Sequence, residues 1–111
     1  MLRLLLHVPD SSRFEAGLKQ ARNFAIAMGD KPFQVRILVN FEGVTVLNDL
    51  SPYAELLKEI FSLGIEVYFC ENAMKGFNIS MDKVPHQAQI IPSGILALVN
   101  WQNEGFKYVR A

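Results

Sequence analysis

The sequence predicts an α/β protein in which helices cover both faces of a five-stranded, mostly parallel sheet, giving a three-layer architecture. Two observations lead to this prediction. Short runs rich in Val, Ile and Leu alternate with longer segments whose apolar residues recur every three or four positions. Such alternation is typical of β-α-β units, in which a helix connects two parallel strands. The length of 111 residues suits a single domain over residues 1–111, since no linker or internal repeat interrupts the pattern.

The first half of the chain predicts two strands and the helix between them. The apolar run "LRLLLHV" is a strand, and the following "PDSS" offers side chains that can cap a helix. Phe14, Leu18 and Ala21 share one face of this helix, which should end near Gly29. "PFQVRILVNF" predicts the second strand. "EGVTVLND" fits either a loop with a short strand or the first turn of a helix.

The second half predicts three strands and two longer helices. Ser51 before Pro52 is a favoured arrangement of an N-cap followed by proline, and this helix should close at Gly64. "IEVYFC" is the third strand, and the turn-rich connection after it has room for a short helix. "AQIIP" is the fourth strand, Ser93 caps the helix in "SGILALVNWQNEG", and "FKYVRA" is the last strand.

The composition argues against several classes of protein. Eleven basic and eleven acidic residues give a formal net charge of zero, so a nucleic-acid partner is disfavoured. One cysteine and two histidines form neither a disulfide nor a convincing metal site. The apolar run at the start is too short for a signal peptide or a membrane span. We therefore expect a cytoplasmic protein with no membrane contact and no metal.

The hydrophobic content suggests an assembly of several copies. Half of the residues are hydrophobic, which is more than the interior of so short a chain is expected to hold. Apolar side chains that remain on the surface are often buried between subunits. We therefore expect a homo-oligomer.

Ligands of parallel α/β sheets bind beyond the carboxyl ends of the strands, so the residues after each strand are the candidates for chemistry. The residues at these positions are His7, Asp10, Asn40, Glu42, Cys70, Asn72, Ser93 and Gly94. The first turn lacks the glycine-rich motifs of dinucleotide and nucleoside-triphosphate sites, and no G-x-S-x-G motif of hydrolases occurs. The sequence therefore supports neither a nucleotide cofactor nor acyl transfer.

Cys70 is the most reactive candidate, and its position alone leaves two interpretations open. If Asn72 caps a short helix, backbone N–H groups would favour a nucleophilic thiolate, which Lys75 would assist and Glu71 would oppose. Alternatively, Cys70 is a buried and inert core residue. His7 similarly fits a catalytic group that orients a substrate or accepts a proton, or a hydrogen-bonded structural residue.

Two other groups of residues also have alternative roles. Ser93 caps a helix, although the amides that follow it can receive an anion. The aromatic residues near the C-terminus belong to the core or to a subunit contact, and these are Trp101, Phe106 and Tyr108.

Four stretches together span nearly the whole chain in order, namely "LLLHVPD", "ARNFAIAMG", "LGIEVYFCENAMKG" and "IIPSGILALVNWQNEGFKYVR". These stretches resemble the DsrE-like family, which includes the small YchN-like proteins. The resemblance implies a three-layer domain with a five-stranded, mostly parallel sheet that assembles as a homo-trimer or homo-hexamer. It also implies a cysteine that carries sulfur as a persulfide after the third strand, where Cys70 lies.

These observations lead to two hypotheses about function. The first is a sulfur-relay or sulfurtransferase-type protein with Cys70 and His7 as catalytic residues. Its substrate-binding residues would be Asn40, Asn72, Ser93 and Gly94. Because the chain has no second cysteine, sulfur would pass between donor and acceptor proteins. The alternative is a non-catalytic homo-oligomer that binds a small ligand or a protein and contains a structural cysteine.

Overall fold

The computed structural model describes all residues, 1–111, and contains one sheet of five strands. The strands are β1 (Leu2–Val8), β2 (Phe33–Val39), β3 (Glu66–Cys70), β4 (Gln89–Ile91) and β5 (Lys107–Arg110). Their spatial order is β4-β3-β2-β1-β5, and every neighbouring pair is parallel. The predicted α/β fold with a five-stranded, mostly parallel sheet is confirmed.

Four α-helices and four 3-10 segments connect the strands. The α-helices are α1 (Phe14–Met28), α2 (Ala54–Ser62), α3 (Glu71–Gly76) and α4 (Gly94–Asn103). The 3-10 segments are Ser11–Arg13, Phe41–Asn48, Ser51–Tyr53 and Met81–Lys83. The segment that the sequence left ambiguous is therefore helical, in a 3-10 conformation. No helix is both long enough and apolar enough to cross a lipid bilayer.

The helix starts differ from three predictions and agree with one. The side chains of Asp10, Ser11 and Ser12 do not cap α1, because a 3-10 turn intervenes and Arg13 is the N-cap residue. Ser51 does not cap α2, because a 3-10 turn intervenes and the Ser51 hydroxyl donates to Asp49 Oδ1 at 2.6 Å. Asn72 does not cap α3 either. This helix begins directly after the strand, with Cys70 in the extended conformation of an N-cap residue. Ser93 is the predicted cap of α4, and its Oγ accepts from Leu96 N at 3.3 Å.

The topology explains why the two faces of the sheet are covered unequally. The first three connections step in one direction from β1 to β4, and right-handed crossovers place such connections on the same face. The fourth connection returns across the sheet to β5, so α4 lies on the opposite face. One face is thus covered by α1, α2, α3 and the Phe41–Asn48 segment, and the other by α4 alone.

The side chains of β1 alternate between the two resulting cores. Leu4 and Leu6 belong to the larger core beneath α1 and α2. Leu5 points to the smaller core beneath α4, which contains Trp101 and Phe106. This alternation is the period of two that a strand imposes on a sheet buried on both faces. Trp101 and Phe106 are therefore core residues, which is one of the two predicted roles. Tyr108 is 42% exposed and belongs to neither core, so the core role is wrong for this residue.

Candidate functional site

A pocket of about 360 Å³ opens at the carboxyl edge of the sheet, between the segments that follow β2, β3 and β4. Five of the six predicted site residues line it, namely Asn40, Cys70, Asn72, Ser93 and Gly94. The sixth, His7, is not part of the lining. Two further surface depressions lie beside α2, and neither is lined by a cysteine or a histidine. The carboxyl edge therefore gathers the predicted residues into one pocket.

Cys70 lines this pocket at the junction of β3 and α3. Its thiol is free, and the residue is only 5% exposed. The sulfur atom Sγ accepts a hydrogen bond from the backbone N–H of Gly94 at 3.3 Å. An N–H group that points at a sulfur atom stabilises negative charge on it. The first backbone N–H of α4 thus donates a hydrogen bond to the side chain of the last residue of β3.

Gly94 is needed for this close approach. A Cβ atom added to it would lie 3.3 Å from Cys70 Sγ, from Cys70 Cβ and from Asn40 Cβ. Carbon atoms at such a distance are closer than an optimal contact of 3.5–4.0 Å. The absence of a side chain at this position therefore lets α4 begin against both Cys70 and Asn40.

Behind Asn40, three side chains form a hydrogen-bonded chain across the sheet. His7 Nε2 lies 2.7 Å from Asn40 Oδ1, and His7 Nδ1 lies 2.6 Å from the hydroxyl of Tyr108. Because an amide oxygen can only accept, Nε2 carries a proton and donates to Asn40. In the neutral ring Nδ1 then accepts from the Tyr108 hydroxyl. This chain joins β5, β1 and the end of β2.

Burial keeps the His7 ring neutral. His7 is 9% exposed, and this desolvation lowers its pKa below the usual value of 6.5. The hydrogen bond with Asn40 acts in the opposite direction, while the charge of Arg110 lowers the pKa further and that of Asp10 raises it. The neutral form has one N–H donor and one acceptor, which matches the two partners of the ring.

Every polar group of Asn40 except Nδ2 has a hydrogen-bond partner in the protein. Its backbone N–H donates to Val8 O at 3.3 Å, and its carbonyl accepts from Gly43 N at 3.0 Å. Its Oδ1 accepts from His7, whereas its Nδ2 donates to no protein atom. The residue is 6% exposed and lines the pocket. An amide donor without a protein partner therefore lies at the pocket wall.

Comparison with known proteins agrees with this architecture. The DsrE/DsrF-like family matches residues 8–111. The chain belongs to this family. No curated protein sequence matches the chain. The resemblance inferred from the sequence motifs is therefore confirmed at the level of the family.

Solved structures share the DsrE-like fold. Protein MTH1491 of unknown function from Methanobacterium thermoautotrophicum is 23% identical with a TM-score of 0.87, and the match covers 100% of both chains. Protein BT1422 of unknown function from Bacteroides thetaiotaomicron is 17% identical with a TM-score of 0.72, covering 98% of this chain and 94% of the other. The ychN protein from E. coli is 15% identical with a TM-score of 0.73, covering 99% and 100%. At these identities the likeness concerns the fold.

The ionisable side chains near the pocket lie outside its lining and interact with other residues there. Glu71 forms an ion pair of 2.9 Å with Lys75, so the two opposing charges predicted beside Cys70 compensate each other. Asp10 forms an ion pair of 3.3 Å with Arg110. Glu42 accepts hydrogen bonds from Ser11, which lower the pKa of its carboxyl group. Neither Asp10 nor Glu42 lines the pocket, although both follow strands.

Four apolar residues of the pocket were missed by the sequence analysis, namely Ala73 and three large, exposed side chains. Phe41, Phe77 and Ile95 belong to the lining and are 69%, 46% and 69% exposed. Phe41 has a φ of 47°, a left-handed conformation that is rare for a bulky side chain. The available signal was its position directly after Asn40, where β2 ends. With these residues, the lining contains no charged side chain.

The remaining lining residues offer polar groups but no metal site. Asn72 is exposed in the first turn of α3, and Ser93 holds the start of α4 through its hydrogen bond to Leu96 N. No three His, Cys, Asp or Glu side chains lie together in a geometry that could hold a metal ion. The arrangement is therefore a thiol in an uncharged pocket with amide donors beside it.

Proposed function

We propose that this DsrE-like protein is a sulfur-relay or sulfurtransferase-type protein that carries sulfane sulfur as a persulfide on Cys70. The observation that carries the proposal is the position of Cys70 Sγ, which lines the pocket and accepts the Gly94 N–H at 3.3 Å. A thiol that exchanges sulfur acts as a thiolate, both as nucleophile and as leaving group. A backbone donor favours the anion in both roles.

The transfer requires no oxidant or reductant. The Cys70 thiolate attacks the outer sulfur of a hydropersulfide donor, R–S–SH, and the S–S bond of the donor breaks. The donor leaves as the thiolate R–S⁻, and Cys70 becomes a hydropersulfide that retains the proton. In the second step an acceptor thiolate attacks the outer sulfur on Cys70. The Cys70 thiolate then leaves, and the protein returns to its initial state.

The surroundings of Cys70 suit such a carrier. Cys70 is 5% exposed in an uncharged, partly apolar lining, and a hydrogen bond to an anionic sulfur is stronger in such surroundings than in water. Because Cys70 is the only cysteine, no thiol of the same chain can resolve the persulfide. The donor and the acceptor are therefore other molecules, which we take to be thiol-bearing proteins of a reducing cytoplasm.

The decisive experiment is a measurement of intact mass. The protein is incubated with inorganic polysulfide, desalted and weighed before and after treatment with dithiothreitol. We expect a gain of roughly 32 Da per sulfur that the reductant removes, since persulfides are reversible by thiols. Cys70→Ser is the control and should gain nothing. A wild-type protein that stays folded and gains no sulfur would show that the proposal is wrong.

The burial of Cys70 supports a second candidate, a non-catalytic binding module. A residue that is 5% exposed exposes little of its thiol, and the pocket has the uncharged wall of a small-ligand site. In this case Cys70→Ala would leave ligand binding unchanged, and polysulfide would add no sulfur to the wild type. The mass measurement thus separates the two candidates.

A further inference from the structure

We propose that Asn40 donates a hydrogen bond from Nδ2 to the terminal sulfur of a bound persulfide or polysulfide, and that His7 and Tyr108 are the positioning residues that hold the amide in this orientation. The proposal rests on the sulfur-relay function for the nature of the ligand. The orientation of Asn40 is a property of the protein alone and is tested separately.

The first argument is the direction of the hydrogen bonds behind Asn40. The Tyr108 hydroxyl donates to His7 Nδ1, and His7 Nε2–H donates to Asn40 Oδ1, over 2.6 and 2.7 Å. If the amide of Asn40 turned over, its NH₂ group would face the N–H of the neutral ring in this tautomer. Two donors would then meet in a buried place, which is unfavourable. A tyrosine hydroxyl can also accept, so the opposite tautomer would require both the Tyr108 hydroxyl to rotate and the Asn40 amide to turn over. In the arrangement that the structure has, His7 Nε2 faces Asn40 Oδ1, and Nδ2 is left to the pocket.

The second argument is the unused donor. Asn40 is nine-tenths buried, and its Nδ2 has no protein partner although the residue lines the pocket. The Nδ2 atom itself is not buried, since the only buried side-chain nitrogen or oxygen without a partner is Arg36 Nε. Nδ2 can therefore be reached from the pocket and is free to donate to a ligand there. A group that only donates requires an acceptor.

The third argument is the place of this donor relative to sulfur. Asn40 Cβ and Cys70 Sγ each lie 3.3 Å from the point that a Cβ of Gly94 would occupy. The two side chains therefore flank the same glycine. A sulfur atom attached to Cys70 extends the side chain into the pocket that Asn40 lines. The Gly94 N–H then donates to the inner sulfur of the persulfide, and Asn40 Nδ2 donates to the outer sulfur.

The chemical class of the ligand follows from the lining. The pocket contains amide donors and apolar carbons but no charged side chain. This environment suits a singly charged, polarisable sulfur anion such as R–S–S⁻ or a polysulfide, whose charge is held by hydrogen bonds. It offers no cationic partner to a carboxylate or a phosphate.

The orientation is tested by ¹⁵N NMR of the histidine side chains, which distinguishes the two neutral tautomers. We expect His7 in the Nε2–H form in the wild type, and a loss of this preference in Tyr108→Phe. Tyr53→Phe is the matched control, since Tyr53 packs on Phe14 on the other face and its hydroxyl makes no hydrogen bond with the site. A wild-type His7 in the Nδ1–H form, or an unchanged tautomer in Tyr108→Phe, would overturn the positioning role.

The donor is tested by the rate of sulfur uptake from inorganic polysulfide. Asn40→Asp keeps the size and the acceptor for His7 but replaces the free donor by a carboxylate. We expect uptake to slow about tenfold or more, because a hydrogen bond to a charged group is lost and the new carboxylate repels an anionic sulfur. Tyr108→Phe should slow uptake by a smaller factor, and Tyr53→Phe should leave it unchanged.

The outcomes separate this inference from the proposed function. If the wild type takes up sulfur and folded Asn40→Asp does so at the same rate, the relay stands and the role of Asn40 is wrong. If the wild type takes up no sulfur, both the relay and the ligand assigned to Asn40 are wrong. The NMR measurement then still decides whether Tyr108 and His7 orient Asn40.

Discussion

The backbone N–H of Gly94 lies 3.3 Å from Sγ of Cys70, and this contact joins the start of α4 to the end of β3. The two residues are 24 positions apart in the chain. The contact depends on a glycine, because a Cβ at position 94 would lie within 3.3 Å of both Cys70 and Asn40. It follows that the packing of α4 and the environment of the thiol are coupled.

Gly94→Ala tests this coupling. The added methyl group would displace Cys70 Sγ or Asn40 by a few tenths of an ångström and lengthen the hydrogen bond from residue 94. We expect slower sulfur uptake, with a change of about 1 kcal/mol or less in the free energy of unfolding, since alanine itself favours a helix. Uptake is measured by mass spectrometry and stability by urea denaturation.

Gly76→Ala is the control for that substitution. Gly76 also lines the pocket, but a Cβ there would meet no atom within 4 Å. Its uptake rate should match that of the wild type. Equal rates in both variants would show that the close approach of Gly94 has no influence on the thiol.

Access to Cys70 is the second testable property. The residue is 5% exposed and lines a pocket that Phe77 and Ile95 also line. We expect the small, neutral reagent iodoacetamide to alkylate the folded protein, and the bulky, anionic reagent dithiobis(nitrobenzoate) to react at least several-fold more slowly relative to the same thiol in urea. The rates are measured by intact mass and by absorbance. A folded protein inert to both reagents would favour the structural cysteine.

The pKa of His7 gives a prediction about stability. Burial places it below 6.5, so the unfolded chain binds a proton before the folded protein does as the pH falls. The contribution of His7 to stability is therefore fully present at a pH above the pKa of the unfolded chain. It is lost as the pH falls through the lower pKa of the folded protein. Arg110 and Asp10 also act on this group. Urea denaturation between pH 7 and 5, compared between the wild type and His7→Gln, measures the difference.

The wild type and His7→Gln should differ in the slope of the unfolding free energy against pH, and not only in the unfolding free energy at one pH. The wild type should lose more unfolding free energy than His7→Gln over this range of pH, because the variant lacks the titrating ring. Parallel curves would mean that His7 titrates alike in the folded and unfolded chains. NMR titration of the ring identifies the group directly, with His86→Gln to assign the two histidine signals.

The sequence predicted those features that depend on local patterns. The five strands follow from short apolar runs, as in β1, and the long helices from apolar residues that recur every three or four positions, as in α1. The carboxyl-edge rule then brought Cys70, Asn40 and Gly94 together without any knowledge of contacts. This is why most of the pocket could be named in advance.

The parts that were not predicted depend on contacts between distant residues. His7 and Tyr108 are 101 positions apart, and no local pattern marks their hydrogen bond. The Phe41–Asn48 segment is positioned by Gly43, whose N–H donates to Pro9 O at 3.0 Å. A Cβ at Gly43 would lie 2.4 Å from the Val8 carbonyl oxygen. The segment was ambiguous in the sequence because its conformation is decided by the neighbouring strand.

The outer face of α4 leads to the last prediction, that the protein forms a homo-oligomer, a trimer or a hexamer, through contact between copies at this face. Ile95, Leu96 and Val99 are 69%, 58% and 60% exposed. Residues 94–103 contain no charged side chain, whereas α1 and α2 carry acidic and basic residues on their outer faces. A helix that faces solvent usually has a charged outer face, so α4 has the composition of a helix covered on both sides.

A second copy is the occupant that the charge of the chain favours. The formal net charge is zero, so two copies meet without strong electrostatic repulsion. The double substitution Leu96→Glu with Val99→Glu should dissociate the assembly, because it would bury charges at the contact. Ile26→Glu is the matched control, since Ile26 is 62% exposed on α1 at the opposite face. Light scattering at micromolar concentration measures the mass of each variant, and a monomeric wild type would contradict the prediction.

The same experiment connects assembly to the thiol. Ile95 belongs both to the exposed face of α4 and to the lining of the Cys70 pocket, so a neighbouring copy at this face would narrow the entrance. We therefore expect iodoacetamide to alkylate Cys70 faster in the dissociated double variant than in the wild type, and at the wild-type rate in Ile26→Glu. Dissociation without a change in the alkylation rate would place the contact away from Ile95. Faster alkylation only in the dissociated protein would show that the assembly controls which thiols reach Cys70.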